Sequence, residues 1–399
     1  MYMSAQQIVN PPQEIEGHFQ TGKVLTITGG HFVHDTFSAF LAPLLPLIIE
    51  KLSLSLTLAG TLSAVMQLPS ILNPLIGYLD DKINLRKLMF FAPAITATLI
   101  CAMGLAPSYP MLVFILFLSG LSSAIYHALA PALMARISGS RVGMGMSFFM
   151  AGGEAGRTLG PLIAVSLVTL LTFKGILPLA LAGWVISLVL YLRFQRTTAH
   201  PAKGYGFGKI IPYLGSYFVP VFFLTLSKGF IITCLGIYLP TLMKSQGANL
   251  WAAGSSLALY QFAGVGGALS SGTLSDRLGR RRVLFTTMLA SSLLLILFLN
   301  LQGWTIIPVL LLLGFLNLSF QPVMLALTQD HFPQSRSVAN GLYMALSFIS
   351  LSIASIIIGV LGDRFGLHGA FLWSAVISLF ALPVLLLIPK TPIVPDPKA

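Results

Sequence analysis

The sequence predicts an all-α membrane protein with twelve transmembrane helices in two parallel six-helix repeats. Three observations carry this. The 399 residues are 56% hydrophobic and only 9% charged, against about 25% charged in a soluble domain. Apolar runs of about 17–25 residues, long enough to cross a bilayer as helices, occur twelve times. A charged motif in the first half returns 195 residues later in the second.

Taken in order, the first run (24–49) follows a polar tail, residues 1–23, that holds Pro11, Pro12, Glu14 and Glu16. That tail lacks the basic start and short apolar stretch of a cleavable signal, so the first helix is expected to act as the insertion signal. The next five runs are 56–78, 88–103, 111–134, 144–171 and 176–192. The longest polar connection, 194–210, carries Arg196, Lys203 and Lys209 and divides the chain into bundles 24–193 and 211–389. The second six runs are 213–239, 252–274, 283–299, 306–327, 338–361 and 370–388, before a polar tail 390–399. The connections leave no room for a soluble domain, and the runs exceed the roughly 9–11 residues of a barrel strand. Cys101 and Cys234 both fall in apolar runs, as buried packing residues do, and are not expected to form a disulfide or a metal site.

The net charge of +12 would suit a polyanion partner, but its distribution points to topology. With the N-terminus cytoplasmic, that side carries 17 of the 23 basic residues: Lys23, Lys82, Arg86, Lys87, Arg136, Arg141, Arg193, Arg196, Lys203, Lys209, Arg277, Arg280, Arg281, Arg282, Arg336, Lys390 and Lys398. Lys51, Lys174, Lys244 and Arg364 fall on the other side, and Arg157 and Lys228 lie within runs. This positive-inside bias places both termini in the cytoplasm and predicts no nucleic-acid partner.

The repeated motif is GYLDDKINLRK from Gly77 and GTLSDRLGRRR from Gly272. The same 195-residue shift carries Ser140-Arg141 onto Ser335-Arg336. A parallel repeat with a site between its halves is a transporter architecture. Gly-x-x-x-Asp-Arg/Lys-x-Gly-x-basic between helices two and three resembles the signature of the major facilitator superfamily. Gly272, Asp276, Arg277, Gly279, Arg280 and Arg281 match it fully. Gly77, Asp81, Lys82, Arg86 and Lys87 match it with Asn84 in place of the second glycine, a residue that also tolerates positive φ. The resemblance implies the major facilitator fold and a gating role for both loops. GDRFG at 362–366 is a looser echo, given structural weight only. The stretches from His31, Ser122 and Ser227, with GGEAGRTLGPL, are similar to the fosmidomycin-resistance branch of that superfamily. There the fourth-helix histidine is typically followed by Pro-Glu; here Ala128-Leu129 follow His127.

The fifth run contains MAGGEAGRTLGPL. Gly152, Gly156, Gly160 and Ala164 recur every four residues and form one ridge for close helix packing. Pro161 removes a helical donor and predicts a kink. Gly156-x-x-x-Gly160-Pro161 partly resembles the superfamily's antiport motif. Glu154 and Arg157, three apart, are expected to pair. Ionisable groups inside a membrane turn to cavities and partners, which marks them as site candidates. In the first run Thr28, His31, Asp35 and Ser38 form one polar stripe with His34 beside it. Asp35, Glu154, His31 and His34 are the expected proton-coupling groups. A metal at His31, His34 and Asp35 is not expected, because no further carboxylate or cysteine lies near in sequence. The alternative for the two histidines is hydration near a helix end. His127 shares a face with Ser119 and Ser123. Lys228 stands in the seventh run without an adjacent acid, and the tenth offers Gly314, Asn317 and Gln321. Arg157, Lys228, His127, Asn317 and Gln321 are the expected substrate contacts. Shifting Asp35, Glu154 and Arg157 by 195 lands on Phe230, Ile349 and Ser352, so the second half has no copy of these charges.

Together these residues predict a secondary transporter without cofactors, working as a monomer in the cytoplasmic membrane. Its partners are protons and a small molecule. The expected reaction is proton-coupled export of a small anionic or amphiphilic compound. Proton-coupled import of an organic acid or phosphorylated metabolite is the alternative. No Gly-x4-Gly-Lys-Ser/Thr loop is present to use ATP, and no oriented nucleophile and base mark an enzyme.

Overall fold

The structure, a computed structural model, describes residues 18–83, 85–195, 214–333 and 336–389. The expected linker 194–210 lies outside them from residue 196 on, as do residues 1–17 of the first tail, all of 390–399, and Asn84. Among the described residues the regular structure is entirely helical.

Ten helical stretches among the described residues are long and apolar enough to cross a bilayer. The first six are α1 Thr21–Leu52, α2 Leu56–Asp80, α3 Arg86–Leu105, α4 Tyr109–Ile137, α5 Gly139–Gly175 and α6 Leu177–Phe194. In the second half α7 is Gly215–Ser245, α9 is Arg280–Phe298 and α10 is Gly303–His331. The last stretch is two helices, α11 (336–365) and α12 (from 367), joined at Gly366 with φ 71° and ψ 166°. Glycine alone adopts that region freely. Between α7 and α9 lies α8, Leu250–Leu278, with 29 residues. It is less apolar because glycine and serine replace large side chains. Gly267 of α8 packs on the Phe315 carbonyl of α10, and Gly314 of α10 on the Tyr260 carbonyl of α8. Small residues let two backbones approach where lipid offers no hydrophobic drive. These are the twelve helices of a six-plus-six fold.

Several helices are interrupted, and prolines mark where. A proline removes a donor and clashes with the carbonyl four residues before it. Pro43 thus disrupts α1 at Ala39, between segments Thr21–Ser38 and Leu41–Leu52. Pro322 disrupts α10 at Leu318, beside the break between Ile306–Leu318 and Phe320–His331. Pro240 acts on Gly236, inside the π-helical turn Cys234–Tyr238 of α7. Pro69 sits in the 3-10 turn Leu68–Leu72 of α2. In α5 the backbone stays helical through Pro161, where a kink was expected; the non-helical residue is Thr172, at φ 66° and ψ 163°.

The core has three parts. One draws on both halves, with Phe40, Leu44 and Ile48 of α1, Leu62 of α2, Tyr238 and Leu242 of α7 and Ile358 of α11. The other two belong to one half each, around Tyr126 and Phe194 in the first and Tyr217 and Phe332 in the second. The shared core sits toward the ends away from the chain termini.

Hydrogen bonds tie the halves on that same side. The Asp363 carboxylate at the end of α11 accepts from Leu56 N at 2.7 Å, Thr57 N at 3.0 Å and Thr57 Oγ1 at 2.6 Å. Ser55 accepts from Leu58 N at 3.2 Å. Three first-turn donors of α2, which have no partner within the helix, are thereby satisfied, two of them by the other half. Tyr238 donates toward the Leu56 and Ser355 carbonyls at 3.1 and 2.9 Å, and Ser355 donates to the Gly60 carbonyl at 2.9 Å.

Candidate functional site

The glycine ridge of α5 faces α1. A methyl group at Gly152 would meet the Thr28 carbonyl at 2.5 Å, at Gly156 the Phe32 carbonyl at 2.5 Å, and at Gly160 the Thr36 carbonyl at 2.7 Å. The contacted carbonyls also recur every four residues, so two ridges of equal pitch mate. Gly153 adds a flat place against the His31 ring. The other flank of α5 meets the second half, where Gly254 of α8 packs on Val165 and the Pro161 carbonyl. Helix α5 therefore lies between α1 and α8, with Glu154 and Arg157 beside its closest contact with α1.

That approach creates a cluster. Asp35, 3% exposed at its side chain, lies 3.3 Å from His31 Nε2, 3.3 Å from His127 Nε2 and 3.8 Å from Arg157 Nε. Arg157 Nη2 pairs with Glu154 Oε1. The two histidine Nε2 atoms are 3.3 Å apart. His31 Nδ1 lies 2.8 Å from the Phe149 carbonyl and His127 Nδ1 lies 2.9 Å from the Ser123 carbonyl. A carbonyl only accepts, so each Nδ1 carries the proton and donates it. In neutral histidines both Nε2 atoms are then bare. Two lone pairs and a carboxylate converge on one point with no proton among them, an arrangement that calls for a cation. One added proton would turn a histidine into a donor toward Asp35.

His31 and His34 are buried, which rules out simple hydration. His34 stacks on Tyr126 with centroids 4.6 Å apart, and its Nε2 lies 3.3 Å from Ser123 Oγ. It borders the cluster without touching Asp35 by an ion-pair contact. Thr28 and Ser38 donate to their own helix, at Val24 and His34 carbonyls. Access comes from the other helices: His127 is 35% and Arg157 42% exposed at the side chain.

The second-half candidates do not join this cluster. Lys228 is 0% exposed. Its ammonium donates to Ser291 Oγ at 2.5 Å and Asn317 Oδ1 at 2.6 Å, with the Thr287 carbonyl at 3.4 Å. Among the described residues it has no ion-pair partner. The expected polar face of α10 is divided by the break at Ser319: Asn317 is buried against Lys228, whereas Gln321 is exposed and donates to Met344 Sδ at 3.3 Å.

The repeated loops lie on the side of the termini. In the second, Gly279 has φ 91° and ψ 134°, which explains its glycine. Arg280 bridges Asp276 at 2.5 Å and Asp330 of α10 at 3.1 Å, and donates to Ser275 Oγ at 2.6 Å. Arg277 lines the same cavity of about 580 Å³. In the first, Asp80 caps the turn by accepting from Leu85 N at 2.7 Å. Gly77 has open space around it, and Arg86 and Lys87 begin α3. The side chains of Asp81 and Lys82 lie outside the described residues.

Sequence reasoning did not join His127 to Asp35, because the two helices are 92 residues apart in sequence and nothing local fixes their rotation. Phe149, the acceptor for His31, carried no signal. Asp363 carried one, the GDRFG echo, without any indication of its partner.

A model of the Major Facilitator Superfamily matches residues 27–275 and 221–399. The chain is 24% identical over 349 residues to the fosmidomycin resistance protein of Escherichia coli (strain K12), covering 85% of this chain and 86% of that one. It is 23% identical over 283 residues to the multidrug resistance protein MdtG of Citrobacter koseri, covering 67% and 70%. Among solved structures, a bacterial homolog of the human lysosomal transporter Spinster matches with a TM-score of 0.78 at 15% identity, covering 92% and 96%.

Proposed function

The chain belongs to the major facilitator superfamily, and on that premise we propose that this secondary transporter is a proton-coupled exporter of a small amphiphilic compound, working as a monomer by alternating access. The observation that carries the proposal is the meeting of Asp35, His31 and His127 beside the Arg157–Glu154 pair. A proton belongs among the first three. Arg157 and His127 reach the accessible side, where a substrate would touch them. Export is supported by the resistance proteins to which the chain is similar.

Coupling follows from competition for Asp35. With a proton in the cluster, an imidazolium satisfies Asp35 and releases Arg157. Without it, Asp35 and Glu154 share the guanidinium. An exported compound must compete with the proton, as an amphiphile donating a hydrogen bond to Asp35 or Glu154 would. An anion held by Arg157 would instead bind together with the proton. The Arg157–Asp35 contact therefore favours a second reading for strictly anionic substrates, co-import with protons. Lys228 would contribute to either only after leaving Ser291 and Asn317.

Vesicles decide between the readings. Everted membrane vesicles with an acidic lumen, from which protons run outward, accumulate the compound if it is exported in exchange for them; intact cells accumulate it if it is imported. Transport that ignores the gradient in both preparations would end the proton proposal. The orientation, with both termini cytoplasmic, rests on the charge bias. A cysteine at Ser140 should be labelled from the cytoplasm and one at Ser245 from outside.

A further inference from the structure

The geometry points to a divalent transition-metal site formed by His31, Asp35 and His127. Their donor atoms lie within 4.8 Å of one another. The two Nε2 atoms are 3.3 Å apart, and each stands 3.3 Å from a different oxygen of Asp35, His31 from Oδ2 and His127 from Oδ1, so that the carboxylate faces the pair with both oxygens. Ligands about 2.0–2.1 Å from a zinc ion in a tetrahedron lie roughly 3.3–3.4 Å from each other. The two nitrogens thus already stand near the spacing that a metal would impose, and Asp35 offers both oxygens to the same place, to bind through both or, after a small turn, through one.

Ligand preparation agrees with the spacing. Metal-binding histidines usually donate their second ring N–H to a carbonyl or carboxylate, which fixes the tautomer and the ring. Both rings do so here, His31 to Phe149 O and His127 to Ser123 O. Both coordinating nitrogens are therefore bare before any metal arrives. Two imidazoles and one carboxylate suit zinc, cobalt or nickel better than magnesium or calcium, which prefer all-oxygen shells. With neutral histidines, Asp35, Glu154 and Arg157 sum to one negative charge, so a cation is attracted despite the guanidinium 3.8 Å from Asp35. His127, partly exposed, is the point of entry and leaves a fourth position for water or an anion.

The site requires no assumption about transport direction or driving ion. The test uses the purified full-length protein in nanodiscs with its purification tag removed. Co²⁺ should bind once and show the visible d–d bands of four- or five-coordinate cobalt, and Zn²⁺ should abolish them. Loss of a ligand's supporting partner already weakens metal binding by about 10–100-fold, so His127→Gln and Asp35→Asn should each weaken Zn²⁺ binding by about 100-fold or more. His331→Gln and His368→Gln should leave it unchanged. Thermal unfolding of each variant without metal separates lost binding from lost folding. Aqua-cobalt spectra in the native protein, or tight binding retained by both His127→Gln and Asp35→Asn, would overturn the site.

Discussion

In the first half Asp35 meets two histidines and an arginine, and two of those partners are partly exposed. In the second half Lys228 meets a serine, an asparagine and a backbone carbonyl, with nothing exposed. The two halves repeat the same helix order, and both place an ionisable group deep in the bundle. One group is surrounded by exchangeable charge. The other is solvated internally by neutral dipoles. A duplicated scaffold therefore does not duplicate its chemistry: the buried ionisable group of the first half faces other ionisable groups, and that of the second faces neutral ones. Residues that act during a cycle should lie on the first side of that contrast, and residues that hold the bundle together on the second.

The largest effect should come from Asp35→Asn. The substitution keeps the shape but removes the carboxylate shared by His31, His127 and Arg157. Accumulation driven by a proton gradient should fall to the level seen without a gradient, while substrate binding survives. Uphill transport retained by this variant would move the proton to Glu154 or His34 and break the comparison at its centre.

Arg157 and Lys228 sharpen it. Arg157→Gln should weaken binding of an anionic substrate by about tenfold or more, since a charged hydrogen bond contributes roughly 1.5–3 kcal/mol, and Arg157→Lys should not restore the planar fork. Lys228→Met should change binding by less than about threefold, because the ammonium is fully buried against Ser291 and Asn317; the acceptors it leaves unpaired should show instead as lost stability, about 1–3 kcal/mol each. Calorimetric titration of both variants, beside their melting temperatures, makes the measurement. Equal losses of affinity would show that Lys228 also works on the substrate.

A next, smaller effect concerns the junction of the halves. Asp363→Ala removes a cap from α2, a change that costs about 0.5–2 kcal/mol. The balance should shift roughly 2- to 30-fold away from the closure seen here, read as faster hydrogen exchange at Leu56 and Thr57. Unchanged exchange there would leave the fastening to the apolar core and the hydrogen bonds of Tyr238 and Ser355.

The smallest effect is expected at the second loop. Arg280 retains Asp330 when Asp276 is lost, and Asp276 is well exposed; such pairs contribute about 0.2–1 kcal/mol. Asp276→Asn should lower transport by no more than about fivefold at equal membrane abundance. Complete loss would give the loop a gating weight beyond its ion pair.

The helices were legible because hydropathy is a local property. Even α8, poor in large apolar residues, was bounded by polar turns at Asn249 and Gly279. The glycine ridge was legible from its spacing, but its partner was not, since Thr28, Phe32 and Thr36 oppose it through backbone carbonyls that every residue has. The Glu154–Arg157 pair was legible because both lie on one helix. The meeting of His127 with Asp35 depends on how two helices are rotated, and a lone histidine does not encode that. Lys228 illustrates the same limit: its place in the run marked it as an intramembrane charge and an expected substrate contact, while Ser291 and Asn317, on other helices, determine where its ammonium points.

The capping of α2 by Asp363 has a consequence for biogenesis. The carboxylate and the amide that it accepts from, Leu56 N, are separated by 307 residues of chain. At about 5–20 residues per second, synthesis of that interval takes roughly 15–60 s. Throughout it the first turn of α2 has emerged and been inserted without its cross-half cap. A ribosome-stalled chain ending before Asp363 therefore exposes those amides, and the junction of the halves is completed only as the last two helices leave the ribosome.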